Sequence, residues 1–529
     1  MRQIILGVIL ITAFVINVSA QKQTNKPNII CIVADDLGYS DIGCYGGEIK
    51  TPNLNKLADE GIRFSNMHNA SMCVLTRTSL LSGKWWPTAG SGIRKNTITM
   101  AEELKKAGYR TGIVGKWHLE GEPNERGFDY FFGFLGGFSS YYSGSKDYRE
   151  NKNTFTNFGK DFYSTDAFTN KAIEFIKPNI NSSDKPFFLY LAYQSPHNPL
   201  QAPKEDVMKY RGVYLKGWQA IREARIKNQI KFGIIKPNTA LVDYPQNLPN
   251  WESLSPEQKD LEDLRMSVYA AMVEKMDDGV GKLMNALKEN GQQNNTLIFF
   301  LSDNGNDPFS STSENMLQKG ILPGEAAGNW QIGMGWAYAG VAPYRLYKIS
   351  QHGGGVTTGA IAWYPSVIKQ AGKINTSPLH VVDIMPTFLN IANAEKSSMS
   401  GLSGQSFMPV LKGEKLERKT PMFFQFVDNR AIRNDKWCLT EVDGNGWELY
   451  DITTDVLETK DLSKHFPKVV DELASTWLNW WKKEGNKESY ESGSSKTGGH
   501  YTPQGDRGSG QIYKPSAMPS ELSGKYKKQ

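Results

Sequence analysis

The chain has 529 residues and a formal net charge of +6, from 61 basic and 55 acidic side chains. This length exceeds the size at which a single core stops growing, so one large domain with a smaller second domain is expected. The positive charge is spread along the whole chain, which argues against nucleic-acid binding. No apolar run after the first twenty residues is long enough for a membrane-spanning helix, so the chain is not expected to span a membrane.

The first twenty residues have the pattern of a secretory signal peptide. Arg2 supplies a positive start, residues 4–15 are apolar, and the small residues from Val18 to Ala20 offer a cleavage site. An uncleaved anchor is the alternative. We expect cleavage near Ala20 and a secreted or periplasmic protein.

The chain contains four cysteines, Cys31, Cys44, Cys73 and Cys438. An exported protein could pair them in two disulfides, but their spacing matches no disulfide framework, and a chain of this size does not need such links. Their disulfide state is left open by the sequence. Cys31 lies within an apolar run and is expected to pack in the core.

Apolar runs and turn signals predict strands that alternate with helices up to about residue 400. The predicted strands are 28–34, 111–115, 186–192, 296–301 and 360–363, and the predicted helices are 51–61, 100–107, 166–176, 262–289 and 380–391. The segments 126–142 and 305–336 are rich in glycine and predict irregular loops, and 210–230 predicts a basic, partly helical insertion. This alternation predicts a mostly parallel sheet with helices on both faces.

The pattern changes after about residue 400. Short strands are predicted within 431–440 and 448–452, followed by an amphipathic helix with Val470, Leu473, Trp477 and Trp480 on one face. Beyond Glu484 the composition predicts a polar tail or surface wrap that buries little. The expected organisation is a signal peptide (1–20), a large catalytic domain (21–400), a C-terminal subdomain (401–485) and a polar tail (486–529).

Four predicted strands end in polar or charged side chains. These are Asp35 and Asp36, Lys116 and His118, His197, and Asp303 with Asn304. Parallel sheets bind ligands beyond the carboxyl ends of their strands, so these groups are expected to converge. Three carboxylates and an amide oxygen suit Ca²⁺ or Mg²⁺, and the lack of further His or Cys ligands argues against zinc. The alternative is that the acidic pairs simply form turns.

The basic side chains suit a site that handles an anion. Lys116 and His118 are two residues apart and face the same side in an extended segment. His197 stands close to two prolines, which hold it in a rigid turn and suit a positioned acid or base. For Lys348, a plain surface lysine is nearly as good an interpretation.

Cys73 and Arg77 lie four residues apart, just ahead of a leucine-rich helical turn. A cysteine at the start of a helix lies among unpaired N–H groups, which attract anions and activate thiolates. Arg77 would add a fixed positive charge beside it. The alternative is a buried cysteine that only packs and an arginine in solvent.

Taken together, these motifs resemble those of type I sulfatases in the alkaline phosphatase superfamily. The stretch from Cys73 (CVLTR, followed by LLSG at 80–83) resembles the family's Cys-x-Pro-Ser/Thr-Arg signature, and 108–118 (GYRTGIVGKWH) resembles its second signature. TPNL at 51–54, SDNG at 302–305 and LYD at 449–451 resemble further landmarks. The resemblance implies a large mixed, mostly parallel sheet between helices, with a smaller C-terminal α+β domain.

The resemblance implies a modified nucleophile and a metal. In the family, the signature cysteine, here Cys73, is oxidised by a maturation enzyme to formylglycine, whose hydrated aldehyde attacks sulfur. Asp35, Asp36, Asp303 and Asn304, together with residue 73, would hold Ca²⁺, with Mg²⁺ as the alternative.

The resemblance also implies roles for five basic residues. Arg77 and Lys116 would steady the hydrate. His118 would take the proton that permits sulfate to be eliminated. His197 and Lys348 would bind sulfate and protonate the leaving oxygen.

Two positions depart from the family pattern. Leu75 stands where the maturation motif usually has proline or alanine, and Gly353 stands where related chains often carry glutamate before two glycines. We expect an exported sulfatase that acts on a sulfated carbohydrate, with the aromatic loops 133–142 and 210–218 as candidate sugar contacts. The alternatives are a phosphodiesterase or phosphonate hydrolase of the same superfamily, or a non-catalytic sulfated-glycan-binding protein if Cys73 is not matured.

Overall fold

The computed structural model describes residues 26–177, 185–442, 444–485 and 513–527. The predicted signal peptide and residues 486–512 of the predicted tail lie outside the described residues. The strands are β1 (Asn28–Asp35), β2 (Ile62–His68), β3 (Arg110–Lys116), β4 (Tyr130–Phe134), β5 (Tyr148–Glu150), β6 (Asn153–Thr154), β7 (Phe187–Pro196), β8 (Thr296–Ser302), β9 (Thr357–Trp363), β10 (Lys373–Asn375), β11 (Leu379–His380), β12 (Met422–Phe426), β13 (Asn429–Arg433), β14 (Trp437–Glu441) and β15 (Glu448–Asp451).

The helices differ widely in length, from single turns to the long α8. They are α1 (Pro52–Glu60), α2 (Cys73–Ser82), α3 (Trp86–Ala89), α4 (Met100–Lys106), α5 (Ser164–Ile176), α6 (Lys204–Met208), α7 (Gly217–Phe232), α8 (Pro256–Glu289), α9 (Ser313–Gln318), α10 (Met334–Gly340), α11 (Gly353–Val356), α12 (Ile384–Ile391), α13 (Met408–Leu411) and α14 (Pro467–Glu484).

One large sheet organises the main body of the described chain. Its strand order is β10-β2-β9-β8-β1-β7-β3-β4-β5-β6, and β11 pairs with β2. The central strands β8, β1, β7, β3 and β4 are parallel, whereas β9 is antiparallel to both β8 and β2. The sheet is therefore mixed and mostly parallel, which confirms the predicted fold class.

The two faces of this sheet support separate apolar cores. In β1, Ile30 and Ile32 join the core that contains α1, α5, α7 and α8. Ile29, Cys31 and Val33 join the opposite core, which contains α2, α4 and α12. Because both faces are covered, β1, β7 and β8 are buried along their whole length, and their sequences are nearly continuous apolar runs.

The longest helix, α8, begins six residues before its predicted start. Ser255 caps it in a reciprocal arrangement with Gln258, in which each side chain accepts a hydrogen bond from the backbone N–H of the other. Further along, Asp277 accepts hydrogen bonds from the backbone N–H groups of Asn53 (3.1 Å) and Leu54 (2.7 Å). A carboxylate of α8 therefore caps the start of α1.

A second, smaller unit follows the main sheet. Strands β12 to β15 form an antiparallel sheet in sequence order, as the predicted fold class requires. Helix α14 packs on this sheet. The indole of Trp480 stacks on Phe423 with ring centroids 4.7 Å apart, and Trp477 donates its indole N–H to the carbonyl of Phe424.

Two predicted loops contain regular structure. The segment 126–142 includes β4, which pairs with β3, and 305–336 includes α9 and the start of α10. The prediction of irregular loops is wrong at these places because β4 is short and contains glycine, and because helices of two turns give little periodic signal.

The described end of the chain, 513–527, is not a solvated tail. Tyr513, Met518 and Tyr526 are buried in the core around α8. Tyr513 donates its hydroxyl hydrogen to Glu262 (3.0 Å), and Arg211 donates to the carbonyl of Tyr526 (3.2 Å). Of the two predicted alternatives, 513–527 fits the surface wrap and not the polar tail, and three apolar or aromatic side chains serve as its anchors.

The four cysteines are all buried and unpaired. Cys31 packs in the core as predicted. Among the described residues, no helix is long and apolar enough to cross a membrane.

Candidate active site

The sheet topology brings the predicted site residues to one edge. Strands β1, β3, β7 and β8 are parallel, so their carboxyl ends lie on the same side. Strand β2 runs in this direction too, because β9 is antiparallel to both β2 and β8. The chain after β2 therefore enters α2 at the site, and the chain before β9, which contains Lys348, arrives at the same edge.

Cys73 is the first residue of α2. Its side chain is buried, with the whole residue only 2% exposed. Burial raises the pKa of the Cys73 thiol, although the nearby Lys116 and Lys348 act in the opposite direction. The position at the start of the helix is thus not accompanied by the lowered thiol pKa that is typical of an activated cysteine.

Cys73 is flanked by a first buried charge network. Lys116 Nζ donates to Asp35 Oδ2 at 2.6 Å. Arg77 donates from Nε and Nη2 to Asp303 Oδ2, at 3.0 and 2.7 Å, and from Nη1 to the carbonyl of Lys116. All four charged side chains are fully buried. Arg77 is therefore not an arginine in solvent; it fixes the positions of Asp303 and Lys116.

The second network is centred on Asp36. Lys348 Nζ donates to both carboxylate oxygens, at 2.7 and 2.9 Å, and Asn304 Nδ2 donates to Oδ1. His197 Nε2 lies 3.5 Å from Oδ2. Burial acts to raise the pKa of Asp36, but Lys348 and His197 outweigh it and lower the pKa to about 2. Lys348 is thus a buried partner of Asp36, and the surface-lysine interpretation is wrong.

The orientation of the His197 ring follows from its backbone neighbour. Nδ1 lies 2.7 Å from the carbonyl oxygen of Asn198. A carbonyl can only accept, so Nδ1 carries the hydrogen and the neutral ring presents the lone pair of Nε2. Burial, reinforced by Lys116 and Lys348, lowers the pKa of His197 to about 3. Two acceptors, Nε2 and a carboxylate oxygen of Asp36, therefore face each other across 3.5 Å, which suits a positive group between them.

His118 lies in the field of the same cations. Burial, followed by Lys116 and Arg77, lowers its pKa well below the usual value, which favours the neutral imidazole. Its Nδ1 is buried without a hydrogen-bond partner. Nε2 lies against Gly137, where a Cβ atom would come within 3.0 Å of it.

The acidic groups fit a hard divalent cation. Asp35 Oδ1 and Asn304 Oδ1 are buried and have no hydrogen-bond partner, as expected of oxygens that ligate a metal. Burial, followed by the neighbouring Asp35, raises the pKa of Asp303 to about 6, while Arg77 and Lys116 act in the opposite direction. Among the described residues, the side chains of Asp35, Asp36 and His197 place possible ligand atoms within 4.8 Å of one another.

Several residues that support the site were missed from the sequence. Asn306 donates from Nδ2 to the backbone carbonyl of Asp36 (3.1 Å) and to Asp41 (3.2 Å), and Asp41 also accepts from Tyr269 (2.6 Å). Asp307 is buried beside the site; burial raises its pKa to about 7, with Lys348 and Asp36 acting in opposite directions. The adjacent motif that ends in Asn304 was the available signal for Asn306 and Asp307.

The structure shows the surroundings of Gly353 and Leu75, the two residues that depart from the family pattern. A Cβ atom at Gly353 would come within 2.6 Å of the Tyr344 ring, so this position has no room for a side chain. The backbone N–H of Gly353 donates instead to Glu458 at 3.0 Å. Leu75, in the first turn of α2, is buried in a cluster that includes residues of the C-terminal sheet.

The loop 210–218, one of the two predicted to contact a sugar, has its aromatic side chains buried, so they cannot stack on one. Tyr210, Tyr214 and Trp218 are 3%, 0% and 0% exposed, and they pack in the core around α8. They are therefore structural, and the expectation that the aromatic residues of 210–218 stack on a sugar is wrong.

The whole fold has close structural counterparts. The solved structure of Ps i-CgsB in complex with k-i-k-neocarrahexaose is 29% identical in sequence and superposes with a TM-score of 0.65, covering 88% of this chain and 94% of that one. The mostly parallel sheet, with its charged edge, is that of the alkaline phosphatase-like hydrolases.

Sequence relatives identify the family. The family model described as Sulfatase matches residues 27–394. The chain is 33% identical to an uncharacterized sulfatase of Schizosaccharomyces pombe, over 87% of this chain and 94% of that protein, and 33% identical to an arylsulfatase of Klebsiella aerogenes, over 74% and 91%. The chain belongs to the sulfatase family, which confirms the resemblance seen in its motifs, and it is a sulfuric ester hydrolase.

Proposed function

We propose that this sulfatase is exported, is secreted or periplasmic after cleavage near Ala20, and hydrolyses sulfate esters of a carbohydrate. The observation that carries the proposal is the convergence of buried cations with an unpaired carboxylate oxygen and an unpaired amide oxygen near Cys73. A sulfate ester is an anion with three outer oxygens, so a site that binds it needs several fixed positive groups.

Two groups that the chain acquires would complete the site. Formylglycine made from Cys73 by a maturation enzyme would supply a hydrated aldehyde as nucleophile, and Ca²⁺, or alternatively Mg²⁺, would neutralise charge on the sulfate oxygens. Asp35, Asp36, Asp303 and Asn304 would hold the cation beside residue 73. The unpaired oxygens of Asp35 and Asn304 support this assignment.

The basic side chains would orient the nucleophile, bind the sulfate and transfer protons. Lys116, anchored on Asp35, and Arg77 would orient the nucleophile at residue 73. His118 is neutral and has an unpaired Nδ1, so it would accept the proton whose removal permits sulfate to leave. Lys348, next to Asp36, would bind the sulfate and supply the proton for the departing alcohol. His197, whose Nε2 lies 3.5 Å from Asp36, would share this role once Nε2 gains a proton.

The carbohydrate part of the proposal has separate support. Ps i-CgsB, a structural counterpart, was solved with k-i-k-neocarrahexaose bound. The predicted export of the chain also favours an extracellular glycan as the source of the sulfate ester. The identity of the sugar and the position of its sulfate are questions for a substrate panel.

Two measurements test the proposal. The first is the mass of the tryptic peptide from Phe64 to Arg77 in protein from the native host. Conversion replaces the thiol sulfur and two hydrogens by one oxygen, and an unmodified Cys73 would instead favour a non-catalytic glycan-binding protein. The second is hydrolysis of sulfated saccharides beside a phosphodiester by protein of confirmed modification state, and a preference for the phosphodiester would contradict the proposed substrate class.

A further inference from the structure

The loop 136–141 lies directly against two of the proposed catalytic residues. Gly137 packs on the His118 ring, where a Cβ atom would lie 3.0 Å from Nε2, a tight contact. Phe138 stacks on the His197 ring at 6.2 Å between centroids and 19° between planes. The loop therefore forms part of the wall of the site, beside the imidazole rings of His118 and His197.

This loop is held in place by buried hydrogen bonds to β7 and the turn after it. Gln194 donates from Nε2 to the carbonyl of Ser139 (2.7 Å) and accepts from the Ser139 N–H at Oε1 (3.1 Å). Tyr141 donates its hydroxyl hydrogen to the carbonyl of His197 at 2.9 Å. Gln194, Ser139 and Tyr141 are all buried. Phe138 is thus fixed relative to His197 by contacts on the residue that follows it and on Tyr141.

Phe138 itself is 54% exposed. A single exposed apolar side chain is ordinary on a protein surface and indicates nothing alone. Here, however, one side of the ring lies against His197, and the rest is open beside the site. In the two loops predicted to contact a sugar, Phe138 is the most exposed aromatic residue. Tyr142 is half-buried, and the remaining ones are buried and cannot offer an open ring face: Phe134, Tyr141, Tyr210, Tyr214 and Trp218.

We propose that Phe138 determines substrate specificity: its open face supports the sugar ring that carries the scissile sulfate. The C–H face of a pyranose is apolar and packs well on an aromatic ring, while its hydroxyl groups remain available for polar contacts. The proposal rests on the carbohydrate sulfatase function above. It assigns to Phe138 the binding of the ring and no part in the bond-making steps.

The test compares two sulfate esters of secondary alcohols with matured enzyme. One is a methyl pyranoside with a single sulfate on a ring hydroxyl, chosen as the best monosaccharide of the substrate panel, and the other is isopropyl sulfate, which has no ring. Phe138→Ala should raise KM for the pyranoside by about three- to tenfold, with kcat changed by less than about twofold. kcat/KM for isopropyl sulfate should stay within about twofold of wild type, and Phe138→Tyr, which keeps the ring, should behave as wild type.

Phe232→Ala is the matched control, since Phe232 is also an exposed phenylalanine (37%) but ends α7 away from the loop. Equal losses on both esters would overturn the proposal, because Phe138 would then act by positioning His197. Unchanged kinetics of Phe138→Ala on the pyranoside would overturn it as well.

A binding measurement separates failure of this proposal from failure of the proposed function. Hydrolysis of neither ester by matured wild-type protein would contradict the proposed function. In that case, calorimetric titration of the unmatured chain with the sulfated pyranoside tests whether Phe138 contributes to binding. Weaker binding by Phe138→Ala than by wild type and Phe232→Ala would support the proposed contact between Phe138 and the sugar ring. Equal binding by all three, or none by wild type, would overturn it.

Discussion

Lys116 Nζ lies 2.6 Å from Asp35 Oδ2, and both side chains are fully buried. The other oxygen of Asp35 has no hydrogen-bond partner. One carboxylate therefore belongs to two parts of the site: one oxygen anchors a lysine, and the other is available to a cation. Loss of either positive partner should leave negative charge buried and uncompensated.

Lys116→Met tests this relationship, because methionine fills similar space without charge. We expect the variant to lose about 3–5 kcal/mol of unfolding free energy in chelator, the range for breaking a buried ion pair. Urea unfolding with and without Ca²⁺ measures it, and Ca²⁺ should restore part of the loss. Lys146→Met, at a surface lysine far from the buried pair in sequence, is the control, and a loss below about 1 kcal/mol in Lys116→Met would contradict the prediction.

The cation itself should stabilise the folded chain. A ligand at one hundred times its dissociation constant adds about 2.7 kcal/mol, so Ca²⁺ should raise the melting temperature of wild-type protein and EDTA should reverse the increase. Asn304→Ala removes an unpaired buried oxygen and should reduce the response to Ca²⁺. Asn66→Ala, which removes an exposed amide, should respond like wild type, and an undiminished response in Asn304→Ala would argue against its role as a ligand.

Asp277 should make stability depend on pH between about 4 and 6. Burial raises its pKa from 3.8 to about 6, so in this interval the folded state retains a proton that the unfolded state has released. Stability from this group is therefore fully present below pH 4 and falls as pH rises towards 6, by roughly 3 kcal/mol for a shift of about two units. Asp277→Asn cannot titrate, and the difference between its pH–stability curve and that of wild type should show this slope. Parallel curves would mean that the start of α1 holds the carboxylate charged.

Substitution of Leu75 should change both the conversion of Cys73 and the stability of the folded chain. Leu75→Ala restores a residue type usual in the maturation motif, so a larger fraction of residue 73 should be converted. The same change removes a buried side chain and should cost about 2–5 kcal/mol of stability. Peptide mass spectrometry and urea unfolding give the two values. Leu104→Ala, also fully buried but in α4 and outside the signature stretch, should lose stability with no gain in conversion; a similar gain there would assign the effect to destabilisation.

The C-terminal segment 513–527 should contribute to the stability of the main body. Tyr513→Phe keeps the buried ring but leaves Glu262 without its hydroxyl partner. The expected loss is about 1–3 kcal/mol, the cost of an unsatisfied buried acceptor. Tyr130→Phe, at a half-buried tyrosine of β4 whose hydroxyl group donates to Glu150, provides the comparison, and equal urea midpoints for the two variants would contradict the anchoring role.

The sequence predicted the parallel core and its charged edge for one physical reason. A strand buried on both faces reads as an apolar run, and in a parallel sheet the ends of such runs meet. Strand β2 was missed because Arg63, Ser65 and Asn66 interrupt its apolar pattern, although its pairing with β9 brings Cys73 to the site. Pairing between segments almost 300 residues apart leaves no local signal.

Contacts between distant segments explain the other differences. Asn306 and Tyr269 donate to the backbone carbonyl of Asp36 from separate elements, and Asp41 accepts from both. Neither Asp41 nor Tyr269 has a distinctive neighbourhood in the sequence. Aromatic residues in the two candidate loops looked alike, but packing buried Trp218 and left Phe138 open. Composition reports how many rings a loop contains, whereas only the fold decides which of them meet solvent.

Because Cys73 is buried in the folded chain, the time in which its sulfur can be oxidised is limited. The residue is 2% exposed, so an enzyme that oxidises its sulfur must act before the chain closes around it. More than four hundred residues follow Cys73, and the last described ones, 513–527, pack on α8 in the middle of the sequence. At ribosomal rates of about 5–20 residues per second, their synthesis takes roughly half a minute to a minute and a half. If Cys73 is converted as proposed, the maturation enzyme can therefore act while the rest of the chain is being synthesised and the segment around Cys73 is still unfolded.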